Sequence, residues 1–199
     1  QRPGDPMGTI FRMEWWRYYT ELPEPDQIIT SWDLTFGTGG ETSGDWCVGQ
    51  AWQRTGSRYF LLDQIRFRGG FTVQIKKMKA FIARFPTAHA HVVEQAANGA
   101  AAIETLQKKI PGVVGEPVTS TSGSKVVRAQ AVSPLMEAAQ VELPAGRDFV
   151  DDYLFEMTAF PTGKHDDQVD ATTHALKRLR ASDVGPVTVQ TDRGRLGGW

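Results

Sequence analysis

A handful of acidic residues fall where carboxylates are expensive or crowded. Asp33 lies inside the apolar run Gln27-Ile-Ile-Thr-Ser-Trp-Asp-Leu-Thr-Phe36, where a charge must be paired or coordinated to be tolerated. Glu94 closes a second apolar run, Ala90-His-Val-Val-Glu94, ahead of Gln95-Ala-Ala-Asn-Gly99. The third group sits in Lys164-His-Asp-Asp-Gln-Val-Asp170. On a helix Asp166, Asp167, Asp170 and His174 share one stripe, because positions three and four apart align. Val169, Thr172, Leu176 and Leu179 make a separate packing stripe. Acids crowded on one face repel unless a cation joins them. Each has a plainer account: a hydrogen-bonded strand Asp for Asp33, a helix cap for Glu94, and the helix macrodipole for Asp166 and Asp167. None of these covers Asp170, one turn further in. Hard oxygen donors suit Mg²⁺ or Mn²⁺ rather than zinc. Two such ions roughly 3.5–4 Å apart can activate water and stabilise the leaving oxygen of a phosphodiester. Asp33 is then the natural bridge between the ions, with Glu94 and Asp167 each completing one shell.

The elements that must position these groups can be read from period and punctuation. The run holding Asp33 is a strand ended by Gly37-Thr-Gly-Gly40. Two more strands follow, 45–52 and 59–65, with Gly56-Ser57 as the turn between them. Phe71, Ile75, Met78, Ile82 and Phe85 then repeat at helical spacing up to Pro86. Next come the strand ending at Glu94, a helix carrying Ile103, Leu106 and Ile110, and a strand at 113–118. A helix begins near Lys125 and should bend or restart at Ser133-Pro134. Val141-Glu-Leu143 is a brief extended piece, and two helices follow, at 149–157 and from about His165 to Arg180. A three-strand antiparallel meander followed by βαβ crossovers makes an α/β mixed sheet with helices on both faces, the order of the ribonuclease H-like fold. In an open sheet of this kind functional groups collect at the carboxyl ends of strands, where Glu94 falls.

Residues 1–26 read as a linker arm, with an aromatic helix candidate at Phe11–Tyr19 between Pro-rich breakers. Residues 27–180 are the folded domain, and 181–199, rich in Gly and isolated charges, read as a flexible tail. The chain of 199 residues opens at Gln1 inside this linker-like segment, as an excised piece of a longer protein would. A composition of 40% hydrophobic and 23% charged residues is globular. No apolar stretch reaches the roughly 18 residues that span a bilayer, so no membrane partner is expected. One cysteine, Cys47, excludes an internal disulfide framework and favours a reducing setting. A net charge of −1 speaks against a module that coats DNA through bulk charge, leaving either weak binding by a local basic patch plus metal ions or no nucleic-acid binding at all.

The blocks Ser31-Trp-Asp-Leu34, Gly44-Asp-Trp-Cys-Val-Gly49, Tyr59-Phe-Leu-Leu-Asp63, Val93-Glu-Gln-Ala-Ala-Asn-Gly99, Gly123-Ser-Lys-Val-Val-Arg128, Val141-Glu-Leu-Pro144 and Phe160-Pro-Thr-Gly-Lys-His-Asp-Asp-Gln-Val-Asp-Ala171 resemble the nuclease domain of tailed-bacteriophage large terminase subunits. The last block is the most specific. The resemblance implies a ribonuclease H-like endonuclease that cuts concatemeric double-stranded viral DNA during packaging with two Mg²⁺ or Mn²⁺ ions. It also implies an upstream ATPase domain in the same chain, a small terminase subunit and a portal as partners, and action in the host cytoplasm rather than in the virion. Carried over, the family's first-strand Asp falls on Asp33 and its second acid on Glu94. Its last acid lies in 165–170, with Asp167 first, Asp170 a further ligand or supporting residue, and Asp166 the weaker candidate.

Gly123-Ser-Lys-Val does not make a Walker A loop, so no ATP hydrolysis is expected of this segment. Lys125 and Arg128, three apart on one helix face, and Arg66 after the third strand are the candidate DNA-phosphate contacts, with Arg68 similar to Arg66. Lys76, Lys77 and Lys79 read as the wet face of their helix, Asp45 as a turn cap, and Asp63 as a structural partner. His89 and His91 are weak metal candidates. Two other readings stay open: a resolvase- or integrase-type nuclease of the same fold, and a non-catalytic module that docks DNA or protein.

Overall fold

The computed structural model describes residues 9–34, 46–95, 100–117 and 123–181. The loop at Gly37–Gly40, Asp45, the segment 96–99, most of the polar loop before Ser124 and the tail beyond residue 181 lie outside the described residues. Among the described residues seven strands form one mixed sheet: β1 (Arg17–Tyr19), β2 (Gln27–Asp33), β3 (Cys47–Thr55), β4 (Arg58–Phe67), β5 (Ala90–Gln95), β6 (Val113–Pro117) and β7 (Val141–Pro144). The helices are α1 (Phe71–Ile82), α2 (Ala100–Lys109), α3 (Lys125–Glu137), α4 (Val150–Ala159) and α5 (Asp167–Ala181). The spatial order is β1-β7-β4-β3-β2-β5-β6. β2, β3 and β4 are the expected antiparallel meander, and β5 and β6 add to β2 in parallel through helical crossovers.

Period-two alternation sorts each strand between two cores. Ile29, Trp52 and Val92 face one side, where they meet Val169, Leu176 and Leu179 of α5 together with residues of α3 and α4. Trp32, Ala51 and Val93 face the other, against Met78 and Phe81 of α1 and Ile103 and Leu106 of α2. The Trp32 indole lies across its strand partner Gly49, where an added Cβ would come within 2.2 Å of the ring. Glycine is therefore required there for packing rather than for a turn.

One local expectation changed and two others were sharpened. Phe11–Tyr19 is not a helix; it is a 3₁₀ turn, Met13–Trp15, followed by β1. Aromatic residues suit strands as well as helices, and a sheet edge decides the matter: β1 pairs in parallel with β7. Phe11 is buried, Trp16 packs edge-on to Tyr153 at 5.6 Å, and Tyr19 Oη donates to the Leu61 carbonyl at 2.9 Å. The extended piece at 141–144 is a sheet strand inserted between β1 and β4. Finally, α3 runs through Pro134 without restarting. Proline cannot serve the Gln130 carbonyl, and Ser133 Oγ donates to it instead at 3.3 Å.

Candidate functional site

Asp33 is the last residue of β2 and shares a face with Ser31, whose hydroxyl donates to the Ala171 carbonyl of α5 at 2.8 Å. Asp33 therefore points to the α5 side. Glu94 reaches the same side from β5, because Val92, two residues earlier, packs in the α5 core and pairs in register with Ser31. Arg66 arrives from the opposite flank: Asp33 pairs with Val48 and Val48 with Arg66, so all three lie in one row across the sheet. The first turns of α5 cap this row. A polar spine beneath the helix fixes its height: Gln50 Nε2 donates to Gln64 at 2.9 Å, Gln64 Nε2 to Gln168 at 2.6 Å, and Thr172 Oγ1 to Gln50 at 3.1 Å.

The acids of α5 are not equivalent. Asp170 is buried, 2% exposed, and binds both Arg128 Nη2 at 2.9 Å and Lys125 Nζ at 2.7 Å. Arg128 also lies 3.9 Å from Glu94, which links β5 to α5. Asp166 is further out and pairs with Lys125 at 2.8 Å. Asp167 turns toward Arg66, 3.7 Å away, and the same guanidinium contacts the buried Glu156 of α4 at 3.1 Å. Glu156 in turn accepts the Gln168 backbone N–H at 2.6 Å and its side-chain amide at 2.7 Å, which holds the start of α5. Lys125, Arg128 and Arg66, the expected phosphate contacts, are thus all engaged by carboxylates of this site.

The electrostatics converge on Asp33. Burial, and then the negative charges of Asp170, Glu94 and Asp167, push its carboxyl well above the usual range, opposed by Lys125. No hydrogen bond or ion pair reaches the Asp33 carboxylate among the described residues. Burial followed by Glu156 lifts Asp167 to about 6. Burial would also raise Glu94, but His174, Arg128 and Lys125 outweigh it and hold the group below its ordinary value. His174 is the counterpart. Burial would lower it, yet contacts to Glu116 and Glu94 prevail and push it up to about 9. Its Nε2 lies 3.0 Å from Glu94 and its Nδ1 3.8 Å from Glu116.

The donor set is all carboxylate oxygen, which fits a hard divalent cation. Asp33 adds a half-buried acid with three acidic neighbours, a site short of positive charge. Among the described residues no three His, Cys, Asp or Glu side chains close around a single point. Their oxygens are drawn instead to Lys125, Arg128, Arg66 and His174. Sequence reasoning placed Asp33, Glu94, Asp166, Asp167 and Asp170 in one neighbourhood, and His174 on their stripe. It missed Glu116 and Glu156. Glu156 had a signal, an acid between the apolar Phe155 and Met157, but only the fold shows Arg66 opposite it.

The remaining candidates fall elsewhere. Lys76, Lys77 and Lys79 are exposed on α1. His91 is buried with Nδ1 3.0 Å from Thr30 Oγ1, and His89 Nδ1 sits against the Ile28 backbone, so neither is near the carboxylates. Asp63 pairs with Arg84 and Arg147, a structural partner as expected. No helix among the described residues is long and apolar enough to cross a membrane.

A mixed seven-strand sheet flanked by helices, with acids gathered at the carboxyl ends of two adjacent parallel strands, defines a ribonuclease H-like domain. Residues 30–179 match the family described as terminase RNaseH-like domain, and the chain belongs to that family. No curated protein matches the chain. Among solved structures, the large terminase of a thermophilic bacteriophage superposes with a TM-score of 0.63 at 12% identity, over 86% of this chain and 44% of that one. The large terminase nuclease of a second thermophilic phage, G20c, with bound magnesium gives 0.64 at 19% identity, over 87% of this chain and 99% of that one. The same nuclease with bound zinc gives 0.60 at 18%, over 86% and 99%. The chain therefore spans less than half the length of the first of these terminases and nearly all of the G20c nuclease.

Proposed function

We propose that this chain is a divalent-metal-dependent DNA endonuclease that cuts concatemeric viral DNA during packaging, by two-ion hydrolysis with Mg²⁺ or Mn²⁺. The observation that carries the reading is Asp33, a half-buried strand carboxylate set among Asp170, Glu94 and Asp167 with no hydrogen bond or ion pair among the described residues. The magnesium and zinc bound to the G20c nuclease support divalent-ion use. When bound, the ions would neutralise phosphate oxygens and activate water. Asp33 would serve both ions in this reading, and Glu94 and Asp167 would each hold one. Asp170 is a further ligand, and Asp166 the outermost candidate. His174 keeps Glu94 ionised from behind, whereas at Asp167 burial and Glu156 oppose the ionised form that Arg66 favours. Lys125 and Arg66, which now pair with these acids, would be the DNA-phosphate contacts with ions bound at the carboxylates. Arg128, whose side chain is only 9% exposed, braces Asp170 and Glu94 throughout.

The wider setting belongs to the same proposal. An ATPase domain upstream in the same chain, a small terminase subunit and a portal would bring double-stranded DNA to this site in the host cytoplasm. This segment itself would not hydrolyse ATP. The test is conversion of supercoiled plasmid to nicked and linear forms in Mg²⁺, in Mn²⁺ and in chelator. Cutting should need metal and disappear in Asp33→Asn. An Asp33→Asn protein that cuts like the parent in both metals sinks the reading.

A further inference from the structure

On the α4 side of the carboxylates lies a second feature that the cutting chemistry does not use. It is a cavity of about 300 Å³ bounded by Arg66, Phe155, Ala159, Gly163, Lys164 and His165. Its size is at the lower end of ligand pockets, which run from roughly 300 to 1,000 Å³. Phe155 is 76% exposed, more than any other large apolar side chain among the described residues. Its helix neighbours Tyr153, Leu154 and Met157 are buried in the core, so α4 is fully anchored without it. The ring is therefore a bare aromatic face in water. Lys164 and His165 stand on the same rim and form no ion pair among the described residues. Asp152 and Glu156 also line the cavity, but Glu156 is committed to Arg66 and Gln168. Arg66 forms part of the wall and lies 3.7 Å from Asp167, so one side chain separates the cavity from the carboxylates.

A free aromatic face, a lysine and an imidazole that form no ion pair among the described residues, and a volume for one small ring system describe the binding of a single nucleotide. The base needs a π surface, the phosphate needs cations, and stacking of this kind accepts any base. A base within a duplex has both faces covered, so it can lie on Phe155 only when unstacked. We propose that the α4–α5 cavity holds one unstacked nucleotide of the strand being cut, its base on Phe155 and its phosphate at Lys164 and His165. This rests on the nuclease reading and adds to it a preference for single-stranded or frayed DNA beside the cut.

Binding is measured by fluorescence anisotropy with a labelled single-stranded oligothymidine and a duplex of equal length, in Mg²⁺. The full chain carries Asp33→Asn so that the probe is not consumed. Adding Phe155→Ala should weaken single-strand binding about 5- to 150-fold, the loss expected for one stacking aromatic. Phe155→Trp should retain it, and Lys164→Ala should lower the slope of log K against log salt by about one. The melting temperature of Phe155→Ala should not move, since the side chain is exposed. Single-strand binding unchanged by Phe155→Ala, or an equal loss on single strand and duplex, overturns the proposal. Plasmid cutting by the parent protein is scored separately. No cutting overturns the nuclease reading, whereas cutting with unaltered Phe155→Ala binding overturns the nucleotide pocket alone.

Discussion

Two strands of the meander each carry an aspartate among apolar neighbours, and the fold treats them oppositely. Asp63 on β4 is 5% exposed and receives Arg84, Arg147 at 3.1 Å and the Gln64 backbone N–H at 2.8 Å. One carboxylate has two guanidinium partners, so the group is neutralised and inert. Asp33 on β2 faces Asp170, Glu94 and Asp167, and the nearby cations Lys125 and Arg128 are already shared among those acids. Local sequence around the two is alike: Leu62-Asp63 and Trp32-Asp33 both follow an apolar residue. The balance of charge brought by other elements separates a structural acid from one that invites a cation.

The largest effect should come from replacing each of the two carboxylates by a carboxamide. Asp33→Asn should lower plasmid cutting at least about 100-fold, since even groups that merely support a metal ligand cost 10- to 100-fold. Its melting temperature should hold or rise, because a carboxylate crowded by three other acids is removed. Asp63→Asn should leave cutting within about twofold and cost about 1–2 kcal/mol of stability in chemical denaturation. That is less than a fully buried pair costs, because Arg84 and Arg147 are each 51% exposed. If Asp63→Asn loses activity while folded, the comparison fails.

Removing a cation from each site is the next test. Arg128→Ala strips the one guanidinium shared by Asp170 and Glu94 and should destabilise the metal-free protein by about 3 kcal/mol. Mg²⁺ should recover part of that loss in thermal unfolding. Arg147→Ala should cost at most about 1 kcal/mol, because its pair is half in solvent, with no recovery by Mg²⁺. Equal responses to Mg²⁺ would erase the distinction between the sites.

Smaller still is the pH dependence of metal-free stability. Asp167 is raised to about 6, so the folded state holds that proton more tightly than the unfolded chain. Its contribution therefore grows as pH falls through 6 toward the ordinary carboxylate range. His174 is raised to about 9, so its contribution is complete below the unfolded value of 6.5 and is lost as pH rises through 9. Thermal unfolding in chelator should show stability falling from pH 6 to 9. His174→Gln should flatten the alkaline limb and Asp167→Asn the acid one. An unchanged profile in both variants would detach these residues from the electrostatics of the site.

Much of the architecture was legible in local pattern. The meander, the helical repeat of Phe71 to Ile82 and the carboxyl-end position of Glu94 follow from periodicity, which each segment carries within itself. The edge strand Arg17–Tyr19 was not legible, because an aromatic run takes whichever structure a neighbour supports, and its neighbour β7 lies more than a hundred residues away. The helix from Lys125 was legible, but its continuity through Pro134 was not, because the compensation, the Ser133 hydroxyl on the Gln130 carbonyl, is a matter of rotamer rather than of composition.

At the site, the sequence alone determined which acids belong together: Asp33, Glu94 and the stripe Asp166, Asp167, Asp170, since strand alternation and helical spacing leave each only one face. Tertiary structure decided their ranking. Asp170 goes to the buried centre beside Arg128 and Lys125, Asp167 to the Arg66–Glu156 flank, and Asp166 to the rim. The partners that separate them come from β4, α3 and α4. Spacing along one helix says which residues share a face, but the charge each one meets is set by the elements packed against it.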